Sequence, residues 1–194
     1  MQKTDNQFTG SEAINRFLII DNFFDDFESI RADAVSQDFE GKVNDADGVE
    51  YPYISTNVPG ADIIEEACGK PDTLFMRLSP AGVFAPHPVH SDTLQSRITM
   101  LIYMTDSPKD CVAGTAIVQH KETGLALTPH NEQDLAIWRR DYRDLDKWEV
   151  TYMFEMKANR AVFFPSDFMH AALPVGGFGD CVADSRLIIG GFFA

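Results

Sequence analysis

The sequence predicts a mainly β protein, a sandwich or barrel core supported by helices from its N-terminal part. Two observations carry this. From Thr73 onward, short β-prone runs recur between Pro, Gly and Asp: "TLFMRL", "RITMLIYM", "GTAIVQH", "VTYMFEM", "RAVFFP" and "RLIIGGFF". Runs of this length divided by turn signals are the texture of an all-β sandwich or barrel. Before Thr73, apolar residues recur at helical spacing in two short stretches, so helices come first and the β-rich remainder follows.

Taken in order, "RFLIID" (Arg16 to Asp21) is a short β-type run. In "DDFESIRADAVSQDF", Phe27, Ile30, Ala34 and Val35 fall on one helical face behind Asp25 or Asp26 as N-cap. A polar loop, Gly41 to Gly48, leads to "YPYIST", and "GADIIEEACG" reads as a second helix ended by Gly69. Within the β region one helical interruption, "NEQDLAIWRRDYRDLDKWE", stands apart. No repeat or Pro/Gly-rich linker divides the chain. The expectation is one domain, 1–194, with 1–72 as strand and helix support and 73–194 as the core; 194 residues suffice to bury a real core.

Composition narrows the function. With 44% apolar and 24% charged residues the chain is ordinary globular material. A formal charge of −14 repels phosphate backbones, and no basic patch offsets it, so nucleic acid is excluded as a generic partner. The cluster "RRDYR" is interleaved with aspartates and reads as a salt-bridged helix face. No run approaches the ~18 apolar residues of a membrane helix, and "MQKTDNQFTGSEAINRF" lacks a secretory apolar core. Cys68, Cys111 and Cys181 form neither a CxxC pair nor a disulfide framework. Reduced thiols and no membrane partner make a cytoplasmic protein the expectation. Nothing in the sequence specifies an oligomeric state.

The chemistry concentrates in "HPVHSDTLQSRITMLIYM" (87–104). In extended backbone, residues i and i+2 share a face, so His90 and Asp92 can reach one point while Ser91 turns away. Far along the chain, "ANRAVFFPSDFMHAALPV" is a core strand, a polar turn and then His170, a third ligand if the two strands face each other across a sandwich. Two histidines and a carboxylate with three open positions form the facial triad of non-haem Fe(II) oxygenases. Arg186 opens the last strand in "DSRLIIGGFFA", where a guanidinium can pair bidentately with a carboxylate in an apolar pocket; the alternative is an ion pair with Asp184.

The order His90-x-Asp92, His170, Arg186 resembles the Fe(II)- and 2-oxoglutarate-dependent dioxygenases, and the flanks are most similar to the prolyl-hydroxylase-like branch: "RITMLIYMT", "AGTAIV" and "RAVFFPSDFMH" each match one of its strands. The resemblance covers residues 73–194. It implies a double-stranded β-helix, the jelly roll, with His90, Asp92 and His170 binding iron and no further catalytic residue beyond these ligands. It implies that Arg186 pairs with the distal carboxylate of 2-oxoglutarate and that Tyr103 adds a hydrogen bond; a core aromatic is the other reading of Tyr103. The cofactors are then Fe(II), 2-oxoglutarate and O2, with ascorbate as supporting reductant. The implied reaction couples decarboxylation to succinate and CO2 with oxidation of a C–H bond. Related halogenases leave the carboxylate position to a halide, so Asp92 favours hydroxylation. The sequence departs from the pattern in the long connector "AALPVGGFGDCVADS" before Arg186 and in Ala113-Gly114 where paired glycines are usual.

The remaining features are assigned more plainly. Pro88 makes shared coordination by His87 and His90 awkward, so His87 lines the pocket or is exposed. His120 and His130 lie near turns, where exposure is the expectation. Gly176–Gly179 is a mobile loop beside the site, since no helix follows it to make a phosphate cradle. The insertion from Trp138 to Trp148 is either a lid or a helix packed on the sheet. The expected substrate is a small molecule or an amino-acid or peptidyl side chain. Two readings stay beside it: a cupin-like metal enzyme without 2-oxoglutarate, and a non-catalytic jelly-roll binding module.

Overall fold

The computed structural model describes residues 16–45, 47–94 and 96–194. The leader reading of residues 1–15 falls outside these. Two antiparallel sheets form the core. The larger has seven strands in the order β1-β9-β6-β11-β4-β3-β2, the smaller four in the order β5-β10-β7-β8. In chain order these are β1 (Leu18–Asp21), β2 (Glu40–Val43), β3 (Glu50–Ser55), β4 (Thr73–Ser79), β5 (Val89–His90), β6 (Ile98–Tyr103), β7 (Gly114–His120), β8 (Trp148–Glu155), β9 (Arg160–Pro165), β10 (His170–Leu173) and β11 (Arg186–Phe193). Six of the nine neighbouring pairs are not consecutive in sequence, the crossovers of a jelly-roll arrangement.

Alternation explains how one sheet serves two cores. On the larger sheet Leu101, Tyr103, Val162, Phe164 and Ile188 turn inward against Ile117 and Phe154 of the smaller sheet. Their neighbours Met100, Ile102, Ala161, Leu187, Ile189, Met76 and Leu78 turn outward. That outer face is covered by helices α1 (Phe27–Val35) and α2 (Ala61–Cys68), which contribute Ala34 and Ile64. Strands apolar on both faces therefore lie between two layers, as the near-continuous runs "RITMLIYM" and "RLIIGGFF" require.

Both helices fall where the spacing predicts, and Gly69 closes α2 with φ +85°. Asp26 holds the N-cap of α1, but its side chain makes no capping hydrogen bond. The predicted loop from Gly41 instead begins inside β2, which pairs with β3 as a hairpin at the sheet edge. All four β2 residues are exposed, so burial left no alternation to read there. The insertion from Trp138 onward includes helix α3 (Glu132–Asp141), which packs Ile137 and Trp138 against Val89, Val118 and Ala171 on the outside of the smaller sheet. It is the packed helix of the two readings. Asn131 caps it, its side-chain oxygen accepting from the Asp134 amide at 2.9 Å. No helix among the described residues is long and apolar enough to cross a membrane.

Candidate metal centre and its pocket

His90 and His170 are direct Cα partners on the adjacent antiparallel strands β5 and β10. Directly opposed side chains share one face of a sheet, and here the two imidazole centroids lie 4.4 Å apart. The predicted convergence occurs, although the strands are neighbours in one sheet and do not face each other across the sandwich. Asp92 closes the group: its Oδ1 is 3.6 Å from His90 Nε2 and its Oδ2 is 3.4 Å from His170 Nε2. Three donor atoms, one from each side chain, lie within 4.8 Å of one another.

Asp92 lies past the end of β5, and its position is set from β6 and β9. Its amide donates to the Ser166 carbonyl at 2.8 Å. Its Oδ2 accepts from the Thr99 hydroxyl at 2.8 Å, and Thr99 lies 2.9 Å from Ser166 Oγ, itself 2.8 Å from Ser96 Oγ. Thr99 and Ser166 are 1% and 0% exposed, so this row of hydroxyls is shielded from water.

The donor set fits a divalent transition metal. Cis ligands ~2.1 Å from an octahedral ion lie about 3.0 Å apart, slightly closer than the separations here. His170 Nδ1 lies 3.0 Å from the Phe168 carbonyl, which can only accept; Nδ1 is therefore the donor, and the lone pair on Nε2 points into the site. His90 Nδ1 is buried and has no hydrogen-bond partner among the described residues. Burial first, then the nearby His170 and Arg77, pull the His90 pKa down to about 3 against the attraction of Asp92. Neutral imidazole is the form that binds a metal.

A pocket runs from His90 past Arg77 and Ser79 to Arg186. Arg186 stands directly opposite Ser79 on β4 and is 3% exposed. Its Nη2 is 3.5 Å from Thr115 Oγ1, its Nε is buried without a hydrogen-bond partner among the described residues, and burial pushes its pKa down. Tyr103 is fully buried, its hydroxyl 3.0 Å from Thr115 Oγ1 and 3.2 Å from the Phe154 carbonyl; burial raises its pKa. Thr115 thus stands between the two groups singled out from sequence, on the facing sheet.

The long connector before Arg186 is stitched to the β4 end of this pocket. Ala81 N donates to Gly179 O at 2.9 Å, Gly82 N to Gly176 O at 2.8 Å, and Phe178 N to Ser79 O at 3.2 Å. Gly177 has φ +67°, and a Cβ there would sit 2.2 Å from Ser79 O, so only glycine permits this approach. The Gly176–Gly179 loop lies beside the site, as expected.

His87 also reaches this region: it contacts Tyr51 Oη at 3.3 Å and packs near Trp138 and Tyr142 at 5.9 and 5.5 Å between ring centroids. His120 departs from expectation. It is 1% exposed, with Nε2 3.0 Å from Asp141 Oδ2 and its ring edge-on to Trp148. A turn does follow His120, but α3 folds over it and supplies the carboxylate. His130 is exposed. In the "RRDYR" segment Arg140 pairs with Asp141 at 2.6 Å and Arg143 lies over the Tyr142 ring.

Four residues escaped the sequence reading: Thr99, Ser166 and Thr115, which contact the site residues, and Arg77, which lines the pocket. A signal existed for Thr99, which alternates with the inward Leu101 and Tyr103 and is the polar member of that face. Arg77 shares the inward phase of Ser79, between the outward Met76 and Leu78.

Comparison with known proteins agrees with this geometry. A family model described as the 2OG-Fe(II) oxygenase superfamily matches residues 76–194. No curated protein matches the chain. Among solved structures, the chain is similar to a prolyl-4-hydroxylase of Pseudomonas putida, at 14% identity over 94% of this chain and 98% of that one, with a TM-score of 0.54. It is also similar to an N-substituted L-amino acid dioxygenase of Burkholderia ambifaria, at 14% identity over 90% and 81% of the two chains and a TM-score of 0.53. AviO1 of Streptomyces viridochromogenes shares 14% identity, over 95% of each chain, with a TM-score of 0.52. At such identities the likeness is one of fold. The family match spans the strands that carry both histidines, the aspartate and the arginine, and on it the chain belongs to the 2OG-Fe(II) oxygenase superfamily.

Proposed function

We propose that the protein is an Fe(II)- and 2-oxoglutarate-dependent hydroxylase acting on a small molecule or an amino-acid side chain. One observation carries the reading: a His-Asp-His donor set shares a pocket with a buried guanidinium that pairs with no carboxylate among the described residues. His90, Asp92 and His170 hold the iron in this reading. When bound, iron supplies the oxidising power, drawn from O2 and the decarboxylation of 2-oxoglutarate to succinate and CO2.

The chain's own residues bind and orient. Arg186 offers a planar fork to the distal carboxylate of 2-oxoglutarate in a site where burial strengthens the attraction. Thr115 and Tyr103 present hydroxyls beside it. Thr99 fixes the Asp92 carboxylate through the bond it donates. Leu101, Val162, Phe164 and Ile188 line the interior and exclude water. With Asp92 in the carboxylate position, no place is left for a halide, and hydroxylation is favoured.

The test is succinate formation by purified protein given Fe(II), ascorbate and 2-oxoglutarate. Wild type is expected to form succinate slowly even without a second substrate, and Asp92→Ala to form none. Succinate formation that survives Asp92→Ala unchanged overturns the assignment. Arg186→Met is expected to raise the KM for 2-oxoglutarate at least about tenfold, the value of one charge-assisted pair.

A further inference from the structure

Arg77 is a second cation in the same pocket, and the oxygenase reading gives it no work. It lies on the inward face of β4, where its direct partner on β11 is Ile188, two residues from Arg186. That makes Arg77 and Arg186 diagonal neighbours on one face, close enough for long side chains to share a cavity. Arg77 Nε is buried and has no hydrogen-bond partner among the described residues. No carboxylate lies within ion-pair distance of either arginine among the described residues. Asp47 is engaged by the Tyr51 hydroxyl at 2.8 Å. The Arg77 guanidinium lies over the Tyr51 ring, 5.4 Å from its centroid, a contact that orients the cation without neutralising it.

Charge accounting makes this arrangement informative. Histidine ligands are neutral when coordinated. Iron, Asp92, Arg186 and the 2-oxoglutarate dianion cancel one another, and Arg77 remains as an uncompensated positive charge. Burial and the neighbouring Arg186 pull its pKa to about 10, which still leaves it charged at neutral pH. An unpaired charge on a half-buried side chain is costly unless a partner arrives.

We infer that Arg77 binds the carboxylate of the substrate to be oxidised, so that the enzyme takes a small carboxylic acid, an amino acid with its α-carboxylate free among them. The inference rests on the oxygenase reading and narrows its substrate class. Tyr51 holds Arg77 from one side and is itself in contact with His87, 3.3 Å from its hydroxyl to His87 Nδ1.

The test uses the full chain loaded with Mn(II) and saturated with 2-oxoglutarate, probed with trifluoroacetate as a minimal carboxylate and trifluoroethanol as its neutral counterpart. In wild type, paramagnetic relaxation of the trifluoroacetate fluorines by Mn(II) is expected to far exceed that of trifluoroethanol. Arg77→Met is expected to weaken trifluoroacetate binding at least about tenfold, while calorimetry finds 2-oxoglutarate affinity unchanged within about twofold. Arg77→Lys, which keeps the charge, should retain measurable binding. Arg186→Met should show the opposite pattern, losing the cosubstrate first. Equal relaxation in wild type and Arg77→Met overturns the inference, as does a tenfold loss of 2-oxoglutarate affinity in Arg77→Met, which would assign Arg77 to the cosubstrate. A chain that takes up neither Mn(II) nor 2-oxoglutarate overturns the oxygenase reading itself, and the same calorimetry reads that outcome separately.

Discussion

Thr99→Val is the sharpest probe of how the metal centre is held, because the substitution keeps the side chain's shape and removes only its hydroxyl. Thr99 is 1% exposed and donates to Asp92 Oδ2 at 2.8 Å. A hydrogen bond to a charged group is worth about 1.5–3 kcal/mol, and partners of this kind typically govern about 10- to 100-fold in metal affinity. Ser166 keeps its contact with Ser96, so the rest of the hydroxyl row survives the change. Asp92 also keeps its backbone anchor, the bond from its amide to the Ser166 carbonyl. The loss therefore falls on the orientation of one carboxylate and on the 2.9 Å contact with Ser166. Affinity for Fe(II), measured anaerobically by competition with a chromophoric chelator, is expected to fall about 10- to 100-fold. Thr99→Ser should bind nearly as wild type does. Fe(II) affinity in Thr99→Val within twofold of wild type, with an unchanged circular dichroism spectrum, would refute the idea that this hydroxyl orients the ligand.

Other perturbations report on separate parts of the structure. Saturating the protein with metal at about 100 times its Kd should add about 2.7 kcal/mol of stability, or roughly 5–10 °C in Tm for a chain of this size; differential scanning fluorimetry with and without chelator reads this, and Asp92→Ala should show no shift. Asp141→Asn removes the carboxylate that faces the buried His120 at 3.0 Å, and urea unfolding should show a loss of about 1–3 kcal/mol with Fe(II) affinity unaltered. Arg140, then the bond with His120, hold the Asp141 carboxyl below the ordinary carboxylate range. Its contribution is thus present above about pH 4 and is lost as pH falls through the depressed pKa; the acid-side drop in Tm should be shallower in Asp141→Asn. Gly177→Ala forces a Cβ to within 2.2 Å of Ser79 O and should cost about 1–3 kcal/mol while raising the KM for 2-oxoglutarate; Gly48→Ala, with a similar φ of +69° but open space around it, separates backbone strain from the contact.

The β core was legible because strands apolar on both faces announce themselves as unbroken runs, and "RITMLIYM", "RAVFFP" and "RLIIGGFF" became β6, β9 and β11. Their pairing was not legible. β11 lies between β4 and β6, and β9 between β1 and β6, contacts set by long-range closure that no local pattern encodes. The edge strand β2 was missed for the opposite reason: all its residues are exposed, so the hydrophobic signal that marks a strand was absent. His120 failed through a partner distant in sequence, since a turn-adjacent histidine looks exposed until α3 brings Asp141 across it.

The site shows the same division between local and distant information. His90 and Asp92 were readable from their own spacing, and His170 joined them only on the condition that the two strands meet, because its registry with His90 depends on how β10 enters the sheet. Arg77 escaped altogether, although its phase within "TLFMRLS" is as regular as that of any core residue. A charged residue in a strand defaults to the solvated face, and here the default fails because both faces of β4 are covered: helices packed over Met76 on one side, the pocket on the other. That failure is itself informative. A fold that brings a cation inward on a doubly covered strand, with no acid among the described residues within ion-pair distance of it, leaves that charge for something that arrives from outside, and the observed partner of Arg77, the Tyr51 ring, can steer such an encounter but cannot replace it.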